Sequence, residues 1–289
     1  MRRAAALVLL VAAAAPALAH EGEDHGAGWT LDPAVTVPLL LTTLIFGIGL
    51  VRLWRRAGRG RGKLRREAWL FGAGWLVLAG ALVSPLHEAG ERSFTMHMIE
   101  HELIMLLAAL LIVAGRPGPA LLWGLPKPLR ATSAAFSRWP LWRVLTDPLV
   151  ATILQGVAIW AWHAPGLFDL ALRSEGWHIV QHLSFIATAL LFWWAILNGR
   201  TSQGMAIFCL FVTSMIGGLL GALMAFSSSP WYSGYAALGL TPEGLSPEQD
   251  QQLAGLIMWI PGGTFHLAAA IWFLWQWLKA SEVSHAHRA

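Results

Sequence analysis

The chain has 289 residues, of which 56% are hydrophobic and only 12% are charged, about half the charged fraction of a typical soluble domain. Its 17 Trp against 2 Tyr suit a membrane protein, because the Trp ring is apolar while its N–H seeks water at the bilayer surface. The net charge of +4 comes largely from loops between apolar stretches, which favours membrane topology over a nucleic-acid partner. The single cysteine, Cys209, excludes a disulfide framework and Cys-rich metal sites.

Residues 1–19 have the pattern of a secretory signal peptide. Two arginines begin the segment, an apolar stretch follows, and Ala17–Ala19 matches a cleavage site. The alternative is an uncleaved anchor helix. After cleavage, we expect residues 20–32 to form a polar leader, in which His20 and His25 are candidate Cu(II) ligands together with the free amine. The alternative for this leader is a polar segment that binds no metal.

Seven apolar stretches follow, and each is about long enough to cross a ~30 Å hydrocarbon core as a helix. They are predicted at residues 33–54, 68–83, 94–114, 148–162, 177–197, 204–226 and 253–278. The predicted fold is therefore all-α, a polytopic membrane protein whose residues 33–280 form a seven-helix transmembrane bundle. Pro261–Gly263 predicts a break in the last helix.

Loop charges predict how the bundle is oriented. Arg and Lys concentrate in loops 52–66 and 116–143, whereas loop 227–251 carries acidic residues and no Lys or Arg. Because basic loops stay on the cytoplasmic side, we expect an outside N-terminus and a cytoplasmic tail at residues 281–289. This indicates a multi-pass protein of the bacterial inner membrane, embedded in the lipid bilayer.

Two histidine pairs are the main candidates for chemistry. His97 with His101, and His178 with His182, are each spaced i, i+4, which places both imidazoles of a pair on one helix face. The predicted topology places both pairs in the outer halves of their helices. Imidazole is a good ligand for copper, zinc and iron, so the four histidines predict a metal site at the outer, periplasmic face. The alternative is that each pair is structural.

Five further residues are weaker candidates for this site. His87 and His163 are predicted at the same membrane face, where either could instead be an ordinary interfacial histidine. Glu100 and Met98 are alternative ligands, or partners that orient an imidazole ring; a methionine there is also consistent with packing alone. His266 follows the predicted break near mid-membrane, and either reaches the site from below or hydrogen-bonds between helices.

Several ordered motifs resemble the membrane-embedded CtaG family of bacterial cytochrome c oxidase assembly proteins. They are Ser84–His87 (SPLH), His97–His101 (HMIEH), Gly115–Pro117 (GRP), Trp162–Pro165 (WHAP), His178–His182 (HIVQH) and Pro261–Gly263 followed by His266. The similarity covers roughly residues 35 to 280. An unrelated single-span copper chaperone with Cys ligands shares the name, and the lone Cys209 does not match it.

The resemblance implies a role in maturing haem–copper oxidases by supplying copper to oxidase subunits. Because transfer by ligand exchange needs no catalysis, we expect no enzymatic activity. Copper is the expected metal, with haem or zinc as alternatives. Three other functions stay open on the residues alone: a membrane haem or metal oxidoreductase, a copper transporter, and a scaffold that binds no metal.

Overall fold

The computed structural model describes residues 28–136, 139–199 and 201–286. The expected signal peptide, His20, His25 and the last three residues of the tail lie outside these ranges. Every regular element in the described part of the chain is helical, and no β-strand occurs there. The prediction of an all-α membrane protein is therefore confirmed.

Thirteen helices in the described ranges are numbered here in chain order. They are α1 (Pro33–Trp54), α2 (Arg61–Val83), α3 (Pro85–Arg92), α4 (Phe94–Ala114), α5 (Gly118–Gly124), α6 (Lys127–Phe136), α7 (Pro140–Leu145), α8 (Pro148–His163), α9 (Pro165–Arg173), α10 (Glu175–Asn198), α11 (Gln203–Ala225), α12 (Ser233–Leu238) and α13 (Pro247–Ala286). Within α4, Leu103–Ala108 form a π-helical stretch.

Six of the described helices are long and apolar enough to cross a membrane: α1, α2, α4, α10, α11 and α13. Their outward faces carry large apolar side chains, such as Leu40, Trp69 and Leu76, which are 68–75% exposed. In water this exposure would be unfavourable, whereas in a bilayer the same side chains contact lipid. The chain is therefore a multi-pass membrane protein.

The predicted count of seven spans is approximate. The fourth predicted span corresponds to α8, which has 16 residues and is shorter than the six others. At a rise of 1.5 Å per residue it reaches about 24 Å, less than a ~30 Å hydrocarbon core. Within the described residues, the bundle thus consists of six full-length helices and one shorter apolar helix.

The predicted break at Pro261–Gly263 is wrong, because α13 continues through it as one helix of 40 residues. Exposed backbone groups are unfavourable in lipid, and side chains near a proline can satisfy them. Pro261 lacks an N–H, so only the Ile257 carbonyl loses its usual donor, and the rest of α13 keeps its helical path. The Thr264 hydroxyl donates to the carbonyls of Ile260 and Pro261 at 2.8 and 2.9 Å, in the turn after the proline.

Close backbone contact joins α11 to α13. A Cβ added at Gly221 would lie 2.7 Å from the carbonyl oxygen of Gly255, and one added at Gly255 would lie 2.5 Å from that of Gly221. Small residues at such crossings let helices pack by van der Waals contact where lipid removes the hydrophobic driving force. This crossing holds α13 against the rest of the bundle.

Candidate metal centre

The two predicted histidine pairs face each other inside the bundle. The rings of His97 and His101 on α4 lie 4.2 Å apart, and those of His178 and His182 on α10 lie 4.4 Å apart. Between the helices, His97 stacks on His178 with ring centroids 5.5 Å apart. The Nε2 atoms of His101 and His182 are separated by 3.1 Å. Both pairs therefore belong to one cluster.

A fifth imidazole and one carboxylate complete this histidine cluster, defined here as His87, His97, Glu100, His101, His178 and His182. His87 is on α3, stacks on His178 at 5.3 Å and donates from Nδ1 to Glu100 Oε1 at 2.8 Å. Glu100 is completely buried, and the same oxygen lies 3.8 Å from His182 Nε2. Glu100, a secondary candidate from sequence, is thus central to the cluster.

Burial and charge act in opposite directions on His87. Burial lowers its pKa, but the hydrogen bond to Glu100 and the negative charges of Glu100, Glu91 and Glu88 outweigh that effect. The pKa of His87 therefore lies above its ordinary value of 6.5. The Glu100 carboxyl group and the His87 imidazole therefore form a hydrogen-bonded pair.

Two groups of side chains bring three donor atoms close enough to share one ion. The donor atoms of His97, His178 and His182 lie within 4.8 Å of one another, and so do those of His87, Glu100 and His182. His182 belongs to both groups. Either group would hold one ion, the first through three imidazole nitrogens and the second through two imidazoles and a carboxylate.

Several buried nitrogen and oxygen atoms in the cluster make no hydrogen bond to any described residue. They are Nε2 of His97, Nδ1 of His101, Nε2 of His178 and Oε2 of Glu100. Leaving such an atom unsatisfied costs about 1–3 kcal/mol, so buried polar groups are normally paired. Their concentration between α4 and α10 fits a site that receives a cation. Imidazole nitrogens and a carboxylate oxygen without other partners are the atoms that a copper or zinc ion would need as ligands.

Helix α4 is positioned by a contact that sequence reasoning missed. The buried Asp250 of α13 accepts hydrogen bonds from Ser93 Oγ at 2.9 Å, Phe94 N at 2.6 Å and Thr95 N at 3.0 Å. A carboxylate at a helix N-terminus satisfies free amide groups and complements the helix dipole. Asp250 therefore fixes the first turn of α4, directly before His97. The sequence contains no local signal for this cap, because Asp250 lies more than 150 residues after the helix that it caps.

Tertiary contacts also hold α3 against α4. The buried Tyr235 hydroxyl of α12 donates to the carbonyl of Gly90. Gly90 packs on His97, and a Cβ added there would lie 3.3 Å from His97 Cα. Burial raises the pKa of Tyr235 well above its ordinary value, so this hydroxyl remains a hydrogen-bond donor.

Three predicted ligands lie outside the cluster. His163 is adjacent, since its ring contacts Phe168 and Phe185, which also contact His97 and His101 respectively. Met98 is buried in the main hydrophobic core. His266 stacks on Trp193 and lines a separate small cavity, so it does not reach the cluster from below. Gln181, which sequence reasoning passed over, is completely buried beside His182 with both amide atoms unpartnered in the described chain.

A wide groove leads to the cluster from one side of the bundle. It has a volume of about 1730 Å³ and runs between α1 and α2 on one wall and α10 on the other. Its lining is mostly apolar, but includes His87, His97, His178 and His182. The cluster is therefore accessible to a molecule that approaches through this groove.

Comparison with known proteins agrees with the ordered histidine motifs. Residues 44–280 match the cytochrome c oxidase caa3 assembly factor family, Caa3_CtaG. The chain belongs to this family. The match includes every residue of the histidine cluster as well as His163 and His266, so the resemblance seen in the sequence is confirmed.

Relatives of this chain occur in mycobacteria. It is 27% identical over 244 residues to uncharacterized proteins of Mycobacterium bovis and Mycobacterium tuberculosis, and 28% identical over 251 residues to one of Mycobacterium leprae. Each alignment covers 80% of this chain and 36% of the relative, so the chain spans about a third of the length of the curated relatives it matches. No solved structure matches it.

Proposed function

We propose that this assembly factor binds copper through the histidine cluster and delivers it to a nascent cytochrome c oxidase subunit in the bacterial inner membrane. Copper is here a cargo. The observation that carries the proposal is the convergence of three imidazole donors, from His97, His178 and His182, within 4.8 Å of one another. Imidazole suits copper, and family membership supplies the oxidase as recipient.

Delivery requires a site that is both ordered and approachable. Asp250 and Tyr235 order the α4 end of the site through buried hydrogen bonds. The groove exposes part of the cluster to the bilayer side, where a partner's ligands could replace the histidines one at a time. Ligand exchange of this kind needs no general acid or base, which fits a chaperone better than an enzyme. The charge distribution favours the periplasmic face for this transfer.

The test is a copper measurement combined with an oxidase measurement. The double variant His97→Ala/His101→Ala should lose copper from the cluster in the purified protein. Cells carrying it should contain less copper in the oxidase and show lower oxidase activity in membranes. His285→Ala, which changes a histidine of the C-terminal tail, is the control and should leave both quantities unchanged. Full cluster copper and full oxidase activity in the double variant would refute the proposal.

A second candidate is a haem protein, and the groove is the observation that favours it. Its volume of about 1730 Å³ exceeds the 300–1,000 Å³ of ordinary ligand pockets, and four histidines line it. An axial pair from α4 and α10, such as His97 and His178, could hold a porphyrin iron. A Soret band in protein purified with its native ligands would favour haem and membrane redox activity. Copper without a Soret band would favour delivery.

A further inference from the structure

A small cavity with both polar and apolar lining lies within the membrane-spanning part of the bundle, separate from the histidine cluster. Helices α4, α8, α11 and α13 enclose it, and its volume is about 20 Å³. Its polar lining residues are Glu102, Gln155, Thr213, Ser214 and His266. Two thioethers, those of Met105 and Met258, line it as well. The space is about that of a single water molecule or ion.

The donor atoms in this cavity lack partners. His266 Nδ1 donates to the carbonyl of Gly262 at 2.8 Å, which leaves a lone pair on Nε2 of the neutral ring. This Nε2, Glu102 Oε2 and Gln155 Oε1 are shielded and make no hydrogen bond to any described residue. Gln155 and His266 are 2% and 6% exposed. Three unsatisfied acceptors around one small space indicate a missing positive or hydrogen-donating ligand.

The backbone around the cavity is shaped to make room for the carboxylate. A Cβ added at Gly262 would lie 2.9 Å from Glu102 Oε2, so only glycine leaves that oxygen its present position. At the neighbouring Gly263, an added Cβ would lie 3.6 Å from Ser214 Oγ, an ordinary contact. Gly262, which was expected to help break the helix, therefore makes room for Glu102, whereas Gly263 does not contact it.

The π-helical stretch of α4 supports the same interpretation. It begins directly after Glu102 and contains Met105, and such wide turns occur frequently at functional sites. Trp193 Nε1 donates to the Met105 carbonyl at 3.1 Å, and the Trp193 ring stacks on His266 with centroids 6.1 Å apart and planes 9° apart. One tryptophan thus orders both segments that face the cavity.

The charge and the chemical type of the lining groups indicate which ion the cavity would bind. Glu102 forms no ion pair with a described residue, and an isolated carboxylate in a membrane helix is costly. A monovalent cation would neutralise it without leaving excess charge. Thioether and imidazole donors together favour Cu(I) over Mg²⁺ or Ca²⁺, which prefer oxygen.

We infer that this cavity is a second cation site, which takes one Cu(I) ion between Glu102 and His266 with thioether donation from Met105 and Met258. The identification of the ion as copper rests on the proposed function, whereas the existence of a second site does not. Because Glu102 follows His101 directly on α4, the two sites are held by the same helix and occupy adjacent faces of it.

The experiment loads the full chain, purified in detergent, with Cu(I) under a reductant and then removes free copper. Elemental analysis gives the copper content per chain, and X-ray absorption at the copper edge detects sulfur neighbours. We expect two copper ions in the wild-type protein. His97→Ala/His101→Ala should retain one, with sulfur in its first coordination sphere. Glu102→Gln should lose the sulfur-ligated ion and keep the copper of the histidine cluster, which also shows that the variant is folded.

Adjacent glycines provide a matched pair of variants. Gly262→Ala should displace Glu102 and reduce the sulfur-ligated copper at least tenfold at limiting copper, whereas Gly263→Ala should leave it unchanged.

The outcomes separate this inference from the proposed function. One copper without sulfur neighbours, lost in His97→Ala/His101→Ala, would overturn the second site and leave the delivery proposal intact. One sulfur-ligated copper that survives in the same double variant would support the second site and refute copper binding by the cluster. Absence of any bound copper would overturn both.

Discussion

The Nε2 atoms of His101 and His182 lie 3.1 Å apart, although 81 residues separate them in the chain. Two nitrogens bound to one tetrahedral ion at about 2.0–2.1 Å would be separated by about 3.3 Å. The observed 3.1 Å is close to this value, and it equally fits a hydrogen bond between two neutral rings, one of which donates to the other. In either case α4 and α10 present their histidines in register, which is the condition for a shared ion.

Removal of His182 should be the most damaging single change in the cluster. His182 belongs to both groups of three donors, so His182→Ala removes a ligand from each. Loss of a supporting hydrogen bond typically lowers metal affinity 10–100-fold, and loss of a direct ligand should lower it by at least about 100-fold. Competition with a chromogenic copper chelator measures the affinity. His163→Ala serves as the comparison, and an equal loss in both variants would contradict the central role of His182.

Glu100→Gln should weaken the site without dismantling it. The amide retains a hydrogen-bond acceptor for His87 Nδ1 but removes the buried negative charge. We expect copper affinity to fall about 10–100-fold, the range observed when partners that orient histidine ligands are lost. Chelator competition again gives the affinity. Glu243→Gln, in the exposed loop before α13, should have no effect. Unaltered affinity in Glu100→Gln would show that this carboxylate does not support a bound cation.

Asp250→Asn should destabilise α4 and disorder the cluster indirectly. The change removes the charge that caps the Phe94 and Thr95 amides, and lost caps cost about 0.5–2 kcal/mol. Thermal unfolding in detergent should occur at lower temperature, with weaker copper binding than in the wild-type protein. Glu248→Gln is a suitable control because Glu248 lies in the same turn but accepts from Ser246 Oγ rather than from the first turn of α4. A similar melting temperature for Asp250→Asn and the wild-type protein would argue against this cap.

Gly221→Ala and Gly217→Ala test the helix crossing. They are one turn apart on α11, yet a Cβ at Gly221 would lie 2.7 Å from the Gly255 carbonyl, while nothing lies within 4 Å of one at Gly217. Overpacking typically costs about 1–3 kcal/mol, so Gly221→Ala should lower the unfolding temperature. Gly217→Ala should be neutral or slightly stabilising. Indistinguishable unfolding temperatures would show that the crossing tolerates the extra methyl group.

The membrane-spanning helices could be predicted from the sequence, because a segment that crosses lipid must be long and apolar and must form its backbone hydrogen bonds internally. The first helix, Pro33–Trp54, has the bounds predicted from its apolar stretch. The second begins at Arg61, before the predicted start at residue 68, because its charged first turns are helical without being apolar. The predicted break at residues 261–263 is wrong for a related reason, since local propensity favours a break whereas the membrane favours continued hydrogen bonding.

For the candidate ligands, the sequence could predict only which of them share one face of a helix. The i, i+4 spacing determined that His97 and His101 share a face, and likewise His178 and His182, because 3.6 residues make one helical turn. Sequence spacing contains no distance between two helices, so it could not predict that Glu100 bonds His87 or that Asp250 caps α4. It also could not separate His266 from the cluster, since that depends on which side of α4 packs against α13.

By itself, then, the sequence determined the helical membrane architecture, the family and the pairing of histidines within each helix, because these follow from hydropathy, ordered motifs and helical periodicity. Only the tertiary structure decided which faces meet. Packing of α4 against α10 forms the histidine cluster, and packing of an adjacent face of α4 against α13 brings Glu102 and His266 to one cavity. Both outcomes depend on side-chain contacts between helices distant in the chain, and no local pattern encodes them.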